Sequence, residues 1–155
     1  MDSSGWIEFF RGGPLAERYA AYFAPRYDLI TPTIVLYEVY KKIKREKGEE
    51  TALVCSGQLS ANPVVQLTES LAYLAADMSL RHGLAMADAI VYATARDQGA
   101  EVVTGDADLK DLPGVIYVKE EQKSGIGNRH LEGLQADGQP IPPPSCQVEY
   151  VEVPV

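Results

Sequence analysis

Residues 86–109 read MADAIVYATARDQGAEVVTGDADL, and this stretch decides the fold class. From Met86 to Gln98 the apolar side chains follow a helical period, and Gly99 supplies a stop. A strand then occupies Glu101 to Thr104. An acidic loop from Gly105 to Pro113 joins it to a further strand at Val115 to Val118. Strands of four or five residues that alternate with helices imply a mainly parallel α/β sheet with helices on both faces. Sheets of that kind gather ligands at the carboxyl ends of their strands, and in this stretch the carboxyl end is where Asp106 and Asp108 stand.

The same alternation extends toward the N-terminus. Thr68 is a helix cap for Glu69 to Arg81, which Gly83 ends, and Val64 to Leu67 reads as a short strand after the Asn62-Pro63 break. Helices are expected from Thr33 to Lys47, stopped by Gly48, and from Glu49 to Leu59. Leu29-Ile30 reads as a strand, while Ile7 to Phe10 and Leu15 to Phe23 read as short amphipathic helices separated by Gly12-Gly13-Pro14. Beyond Glu121 the pattern stops. Residues 122–155 are rich in Gly and Pro, including Pro142-Pro143-Pro144, and are expected to be a mobile tail, with a possible edge strand at Val148 to Val153. The expected organisation is therefore one domain at 1–121 followed by that tail.

Composition bounds what such a domain does. An apolar content of 46% over 155 residues supplies a real core, and no run of about 18 apolar residues or leader-like start is present, so a cytoplasmic protein without a membrane span is expected. Cys55 and Cys146 are too few for a disulfide framework and lack zinc spacing. A net charge of −8 argues against holding nucleic acid by bulk electrostatics. Any such role must be local, through a metal that inverts the sign of an acidic pocket or through a confined basic patch.

Four acids are candidates for that pocket, and each also has an ordinary explanation. Asp2 suits the cap of the first helix. Glu38, within Ile34-Val35-Leu36-Tyr37-Glu38-Val39-Tyr40, either faces a cleft or pairs on the surface with Lys42. Asp88 in a first helical turn is favoured by the helix dipole, although its neighbours are all apolar. Asp106 fits a turn in which an acid bonds the backbone. Their placement relative to the strands allows all four to converge, and carboxylates brought together repel and raise one another's pKa values unless a cation offsets them. An oxygen-only donor set suits Mg²⁺ or Mn²⁺.

The segments Asp2-Ser3-Ser4-Gly5-Trp6-Ile7-Glu8-Phe9-Phe10, Tyr37-Glu38-Val39, Ala87-Asp88-Ala89-Ile90-Val91-Tyr92-Ala93-Thr94-Ala95 and Thr104-Gly105-Asp106-Ala107-Asp108-Leu109 resemble the ordered motifs of PIN-domain nucleases, and most of all the VapC toxins of toxin-antitoxin pairs. The resemblance covers residues 1–120. It implies a three-layer α/β/α fold and a Mg²⁺- or Mn²⁺-dependent endoribonuclease that hydrolyses RNA with metal-activated water. Such a toxin would be restrained by a cognate antitoxin and act as a homodimer. It implies Asp2, Glu38, Asp88 and Asp106 as metal-binding catalytic acids, Asp108 as an auxiliary acid, and Ser4 and Thr104 as hydrogen-bonding helpers. The basic run Lys41, Lys42, Lys44 and Arg45, on the same helix as Glu38, either receives RNA phosphates or is an ordinary charged helix end. Tyr37 and Tyr40 either stack on bases or belong to the core.

One departure from the family stands out. PIN domains place an apolar strand before the first acid, and here Asp2 directly follows Met1. The expectation is a gap between central strands, an imported strand, or a start site placed too late. Two other readings stay open: a noncatalytic PIN remnant that serves as an antitoxin-binding or scaffold module, and a phosphatase or receiver-like α/β protein. The last would require a phosphorylatable aspartate with an opposing lysine, and no convincing lysine is found.

Overall fold

A computed structural model describes residues 1–120. Helix α1 spans Ser3–Arg11, α2 Ala16–Ala20 with a 3₁₀ turn at Ala21–Phe23, α3 Thr33–Lys47, α4 Glu49–Ser60, α5 Glu69–His82 and α6 Met86–Asp97. The strands are β1 Thr31–Pro32, β2 Val64–Val65, β3 Val102–Thr104 and β4 Val115–Tyr117. The α/β class and the parallel pairing expected from the sequence are both present: β1 runs parallel to β2 and β3 parallel to β4. The expected tail and its edge strand at 148–153 lie outside the described residues.

The sequence pattern explains where each element packs. On α3 the side chains of Val35, Val39 and Ile43, spaced four apart, form one fully buried stripe against α4. Helix α6 is apolar nearly all round and is correspondingly central, with every residue from Ala89 to Ala95 buried and α5 laid against it. The aromatic residues of α1 close the N-terminal side of the core. Trp6 stacks on Phe10 with centroids 5.6 Å apart and meets Phe23 at 5.1 Å, so this helix is fixed by large apolar side chains, each worth about 1.5–3 kcal/mol when buried. Arg11 on α1 also pairs with Glu46 on α3.

Two expected strands shift. The strand read at Leu29-Ile30 forms instead at Thr31–Pro32, because Thr31 has the better bonds: its amide donates to Pro63 O at 2.9 Å and its hydroxyl to Leu59 O at 3.1 Å, with the side chain fully buried. The strand read at Val64 to Leu67 keeps only two residues, since its partner β1 turns into α3 directly after Pro32.

Among the described residues the two ladders do not join into one sheet. Between β1 and β3 lies a narrow cleft lined by Met1, Ile30, Pro32, Val91, Ala95 and Val102 among others. Among the described residues a gap therefore separates β1 from β3, and the segment that could be imported into it, Val148 to Val153, lies outside them. On the β3 side of the cleft the Asp2 amide donates to Val103 O at 3.0 Å. The α-amine of Met1 is buried there, and desolvation pushes its pKa down against the opposing pull of the Asp2 charge. No described helix is long and apolar enough to cross a membrane.

Candidate metal centre

The centre is assembled from four separated segments. Asp2 precedes α1, Glu38 lies in α3, Asp88 in the first turn of α6, and Asp106 and Asp108 in the loop after β3. The carboxylates of Asp88, Asp106 and Asp108 each offer an oxygen, and these oxygens all lie within 4.8 Å of one another. Asp88 and Asp106 are half-buried and Asp108 is exposed. Asp108, read from the sequence as an auxiliary acid, thus belongs to the tight trio, whereas Asp2 and Glu38 stand outside it.

Both of the latter still face the trio electrostatically. The Asp88 carboxyl is pushed up to about 6, first by burial and then by the charges of Asp106, Glu38, Asp2 and Asp108 in that order. Asp88 is therefore the point on which all the candidate acids converge. Its position at the N-terminus of α6 puts the helix dipole against this repulsion without overcoming it.

Asp2 is held more tightly than any other member. Only 4% exposed, it caps α1 as expected for an acid there: Oδ1 accepts from the Gly5 amide at 3.1 Å and from the Ser4 hydroxyl at 2.8 Å. Its other oxygen, Oδ2, accepts from Thr104 Oγ1 at 2.5 Å. The two readings of Asp2, as a cap and as a site acid, therefore describe one geometry. Burial raises its pKa, while the bonds from Thr104, Ser4 and the Gly5 amide pull the other way. Oδ1 already accepts two bonds and Oδ2 one, so the second lone pair of Oδ2 is the acceptor capacity left for an ion.

Thr104 and Ser4 tie the two halves together. Thr104 Oγ1 also accepts from the Asp106 amide at 2.8 Å, and Ser4 Oγ accepts from the Gly105 amide at 3.2 Å. Asp106 in turn accepts from the Asp108 amide at 2.9 Å, a local turn that aims both acids the same way. One fully buried threonine thus fixes Asp2 and Asp106 together. With carboxylate and hydroxyl oxygens alone at hand, the donor chemistry fits a hard divalent ion such as Mg²⁺ or Mn²⁺. Cys55 is buried with α4 in the core and takes no part in the cluster.

Residues 1–115 match the PIN domain family. The chain belongs to the PIN domain family. Its fold is similar to a toxin-antitoxin complex from Klebsiella pneumoniae, with a TM-score of 0.63 and 23% identity, over 74% of this chain and 92% of that one. It is also similar to VapC20 of Mycobacterium tuberculosis, a sarcin-ricin loop cleaving toxin, with a TM-score of 0.57 and 22% identity over 68% and 88%. No curated protein matches the chain significantly.

In this PIN domain one residue of the site was not legible beforehand. Tyr19, 1% exposed, presses its ring against Gly5 and its hydroxyl against Gly105, so closely that a Cβ on either glycine would stand 2.7 Å from it. It also shares a hydrogen bond with Ser4, and burial raises its pKa far above the usual phenol value. In the sequence it is one more aromatic on a helix, and its partners lie too far along the chain for any spacing to reveal them.

The basic run beside the PIN centre divides in two. Lys42 pairs with Glu46 at 3.2 Å and Lys44 with Glu49 at 2.7 Å, while Lys47 donates to Phe10 O. Lys41 and Arg45 have no carboxylate partner among the described residues. Tyr40 is half-buried and tied to Glu49, whereas Tyr37 is 59% exposed.

Proposed function

We propose that this chain is the toxin of a type II toxin-antitoxin pair, an endoribonuclease of the cytoplasm that hydrolyses RNA phosphodiesters at the carboxylate cluster. The observation that carries this reading is the meeting of Asp88, Asp106 and Asp108 within 4.8 Å, with Glu38 and the buried Asp2 facing the same point. Carboxylates so placed repel one another, and a cation held among them would offset that repulsion.

Asp88, Asp106 and Asp108 would hold Mg²⁺ or Mn²⁺, with Asp2 and Glu38 completing the set of acids. When bound, such an ion supplies a Lewis acid toward the phosphodiester and lowers the pKa of a coordinated water. The protein's own contribution is placement. Thr104 and Ser4 orient Asp2, Thr104 fixes the Asp106 backbone, and Tyr19 closes the wall behind Ser4. Glu38 would add a further carboxylate from α3, whose charge is felt at Asp88. The likeness to a toxin-antitoxin complex supports a cognate antitoxin as the restraining partner, and the reading includes a homodimer.

The test is cleavage of RNA by the purified full chain. Activity is expected with Mn²⁺ or Mg²⁺, none in EDTA, and recovery on adding the ion back, with Asp88→Asn and Asp106→Asn both inactive yet folded. A metal-loaded, folded wild-type chain that binds an antitoxin and cuts no RNA would overturn the reading in favour of a noncatalytic antitoxin-binding module.

A further inference from the structure

Neither Gly5 nor Gly105 has to be a glycine for the sake of its backbone, since neither is among the glycines of positive φ. What excludes a side chain at both is Tyr19. A Cβ on Gly105 would meet the Tyr19 hydroxyl oxygen at 2.7 Å, whereas the next atoms, Val118 O and Ser4 Oγ, stand at ordinary contact distances of 3.6 and 3.8 Å and the ring lies farther off. A Cβ on Gly5 would instead meet two ring carbons of Tyr19, at 2.7 and 2.9 Å, together with Met1 Cγ at 2.7 Å. One buried phenol thus fills, with two different parts, the space left at the start of α1 and the space left in the loop after β3. The turn that delivers it is itself pinned, because the Glu8 carboxylate accepts from the Leu15 amide at 2.9 Å just ahead of α2.

The polar end of the ring has a fixed direction as well. Ser4 Oγ carries one proton and two lone pairs. The proton goes to Asp2 Oδ1 at 2.8 Å, and one lone pair accepts from the Gly105 amide at 3.2 Å. In its hydrogen bond with Tyr19 the serine has only an acceptor site left, so the phenol is the donor. A chain of bonds therefore runs from Tyr19 through Ser4 to Asp2, and each bond polarises the next. The oxygen that starts this chain is also the atom that a side chain on Gly105 would strike. Both the orientation of Asp2 and the approach of the loop bearing Asp106 and Asp108 are thus referred to a single hydroxyl on α2.

We propose that Tyr19 is the positioning residue of the acid cluster: its hydroxyl holds Ser4 in the rotamer that donates to Asp2, and it is the spacer against which Gly105, and with it the loop of Asp106 and Asp108, comes to rest. The role rests on the reading of the cluster as a metal centre and adds the residue that sets its spacing.

The experiment uses the full chain and has a metal arm and a metal-free arm. In the first, Mn²⁺ affinity is measured by calorimetry. Tyr19→Phe keeps the ring and should weaken binding about tenfold, as loss of an outer partner of a ligand does. In Ser4→Ala, which has no oxygen for the phenol to donate to, adding Tyr19→Phe should change affinity by no more than about twofold, the scatter expected where no coupling remains. In the second arm, Gly105→Ala and Gly5→Ala are melted in EDTA, each alone and combined with Tyr19→Phe. Gly105→Ala should melt below wild type, and Tyr19→Phe should relieve it, because the one atom that the new methyl strikes is then gone. Gly5→Ala should stay unrelieved, because the ring carbons and Met1 remain. Should Gly105→Ala fail to fold alone, recovery of folded protein in the combined variant is the same positive result.

Mn²⁺ affinity in Tyr19→Phe within about twofold of wild type overturns the role, and so does an equal loss in the Ser4→Ala background. A Gly105→Ala defect that Tyr19→Phe leaves untouched overturns it too. A wild-type chain that binds no Mn²⁺ defeats the metal reading instead, and the Gly105 pair then decides by itself: relief upholds Tyr19 as the spacer, and its absence overturns it.

Discussion

Replacing Asp88 with asparagine should stabilise the metal-free protein and destroy its response to metal, two effects of opposite sign from one atom. The Asp88 carboxyl is raised to about 6 by burial and by the facing acids, so in the folded chain it takes up protons more readily than when unfolded. A group raised in this way contributes its full stability below its unfolded value near 3.8 and loses it as pH climbs through 6. At roughly 1.4 kcal/mol per tenfold change, the interval amounts to about 3 kcal/mol at most. Asp88 is only half-buried, and solvent screening brings the expected effect to about 1–2 kcal/mol.

In EDTA at pH 8, Asp88→Asn should therefore melt several degrees above wild type, at about 2–4 °C per kcal/mol for a chain of this size, with the difference vanishing near pH 4. With Mn²⁺ at a hundred times its dissociation constant, the wild type should gain about 2.7 kcal/mol and Asp88→Asn far less, so the order of the two melts inverts. Scanning calorimetry at both pH values, with and without the ion, reads all four numbers. A metal-free Asp88→Asn less stable than wild type at pH 8 would show that Asp88 serves the fold through a favourable contact, and the argument from repulsion would be wrong.

Thr104→Val removes the hydroxyl that donates to Asp2 and accepts from Asp106 while keeping the shape, and should cost about 2–4 kcal/mol in urea unfolding. The loss should be larger at pH 8 than at pH 4, because without that donor the raised Asp2 carboxyl rises further, and a loss within 0.5 kcal/mol of zero would contradict the assigned roles. Mn²⁺ affinity and cleavage rate should both increase as pH passes through about 6, where the ion stops competing with a proton on Asp88; a flat calorimetric profile from pH 5 to 8 would remove Asp88 from the ligand set. A short segment of β-branched residues joined ahead of Met1 should enter the cleft between β1 and β3, bond to both strands and remove the buried amine, raising stability by a few kcal/mol after the ordering cost. An unchanged melting temperature in that extended chain would mean that the cleft does not accept a strand.

By itself the sequence determined the elements and the family order. Helix periodicity, the stops at Gly48, Gly83 and Gly99, and the cap at Thr68 are local signals, and α3, α5 and α6 form within a residue or so of where those signals put them. The four acids could be named because each sits in a short motif, three of them at an element's end and Glu38 inside α3. Tertiary structure alone decided the rest, since it depends on distances between residues far apart in the chain. Packing of α1 against β3 made Asp2 at once a helix cap and a partner of Thr104, the start of α6 beside the loop after β3 brought Asp108 rather than Glu38 into the tight trio, and Tyr19 of α2 came against Gly5 and Gly105. It also separated Lys41 and Arg45 from Lys42 and Lys44, because whether a surface lysine is open or neutralised depends on which glutamate stands opposite it. Strand position was set the same way: β1 moved to Thr31–Pro32 because bonding partners at Leu59 and Pro63, not local propensity, determine which residues enter a ladder.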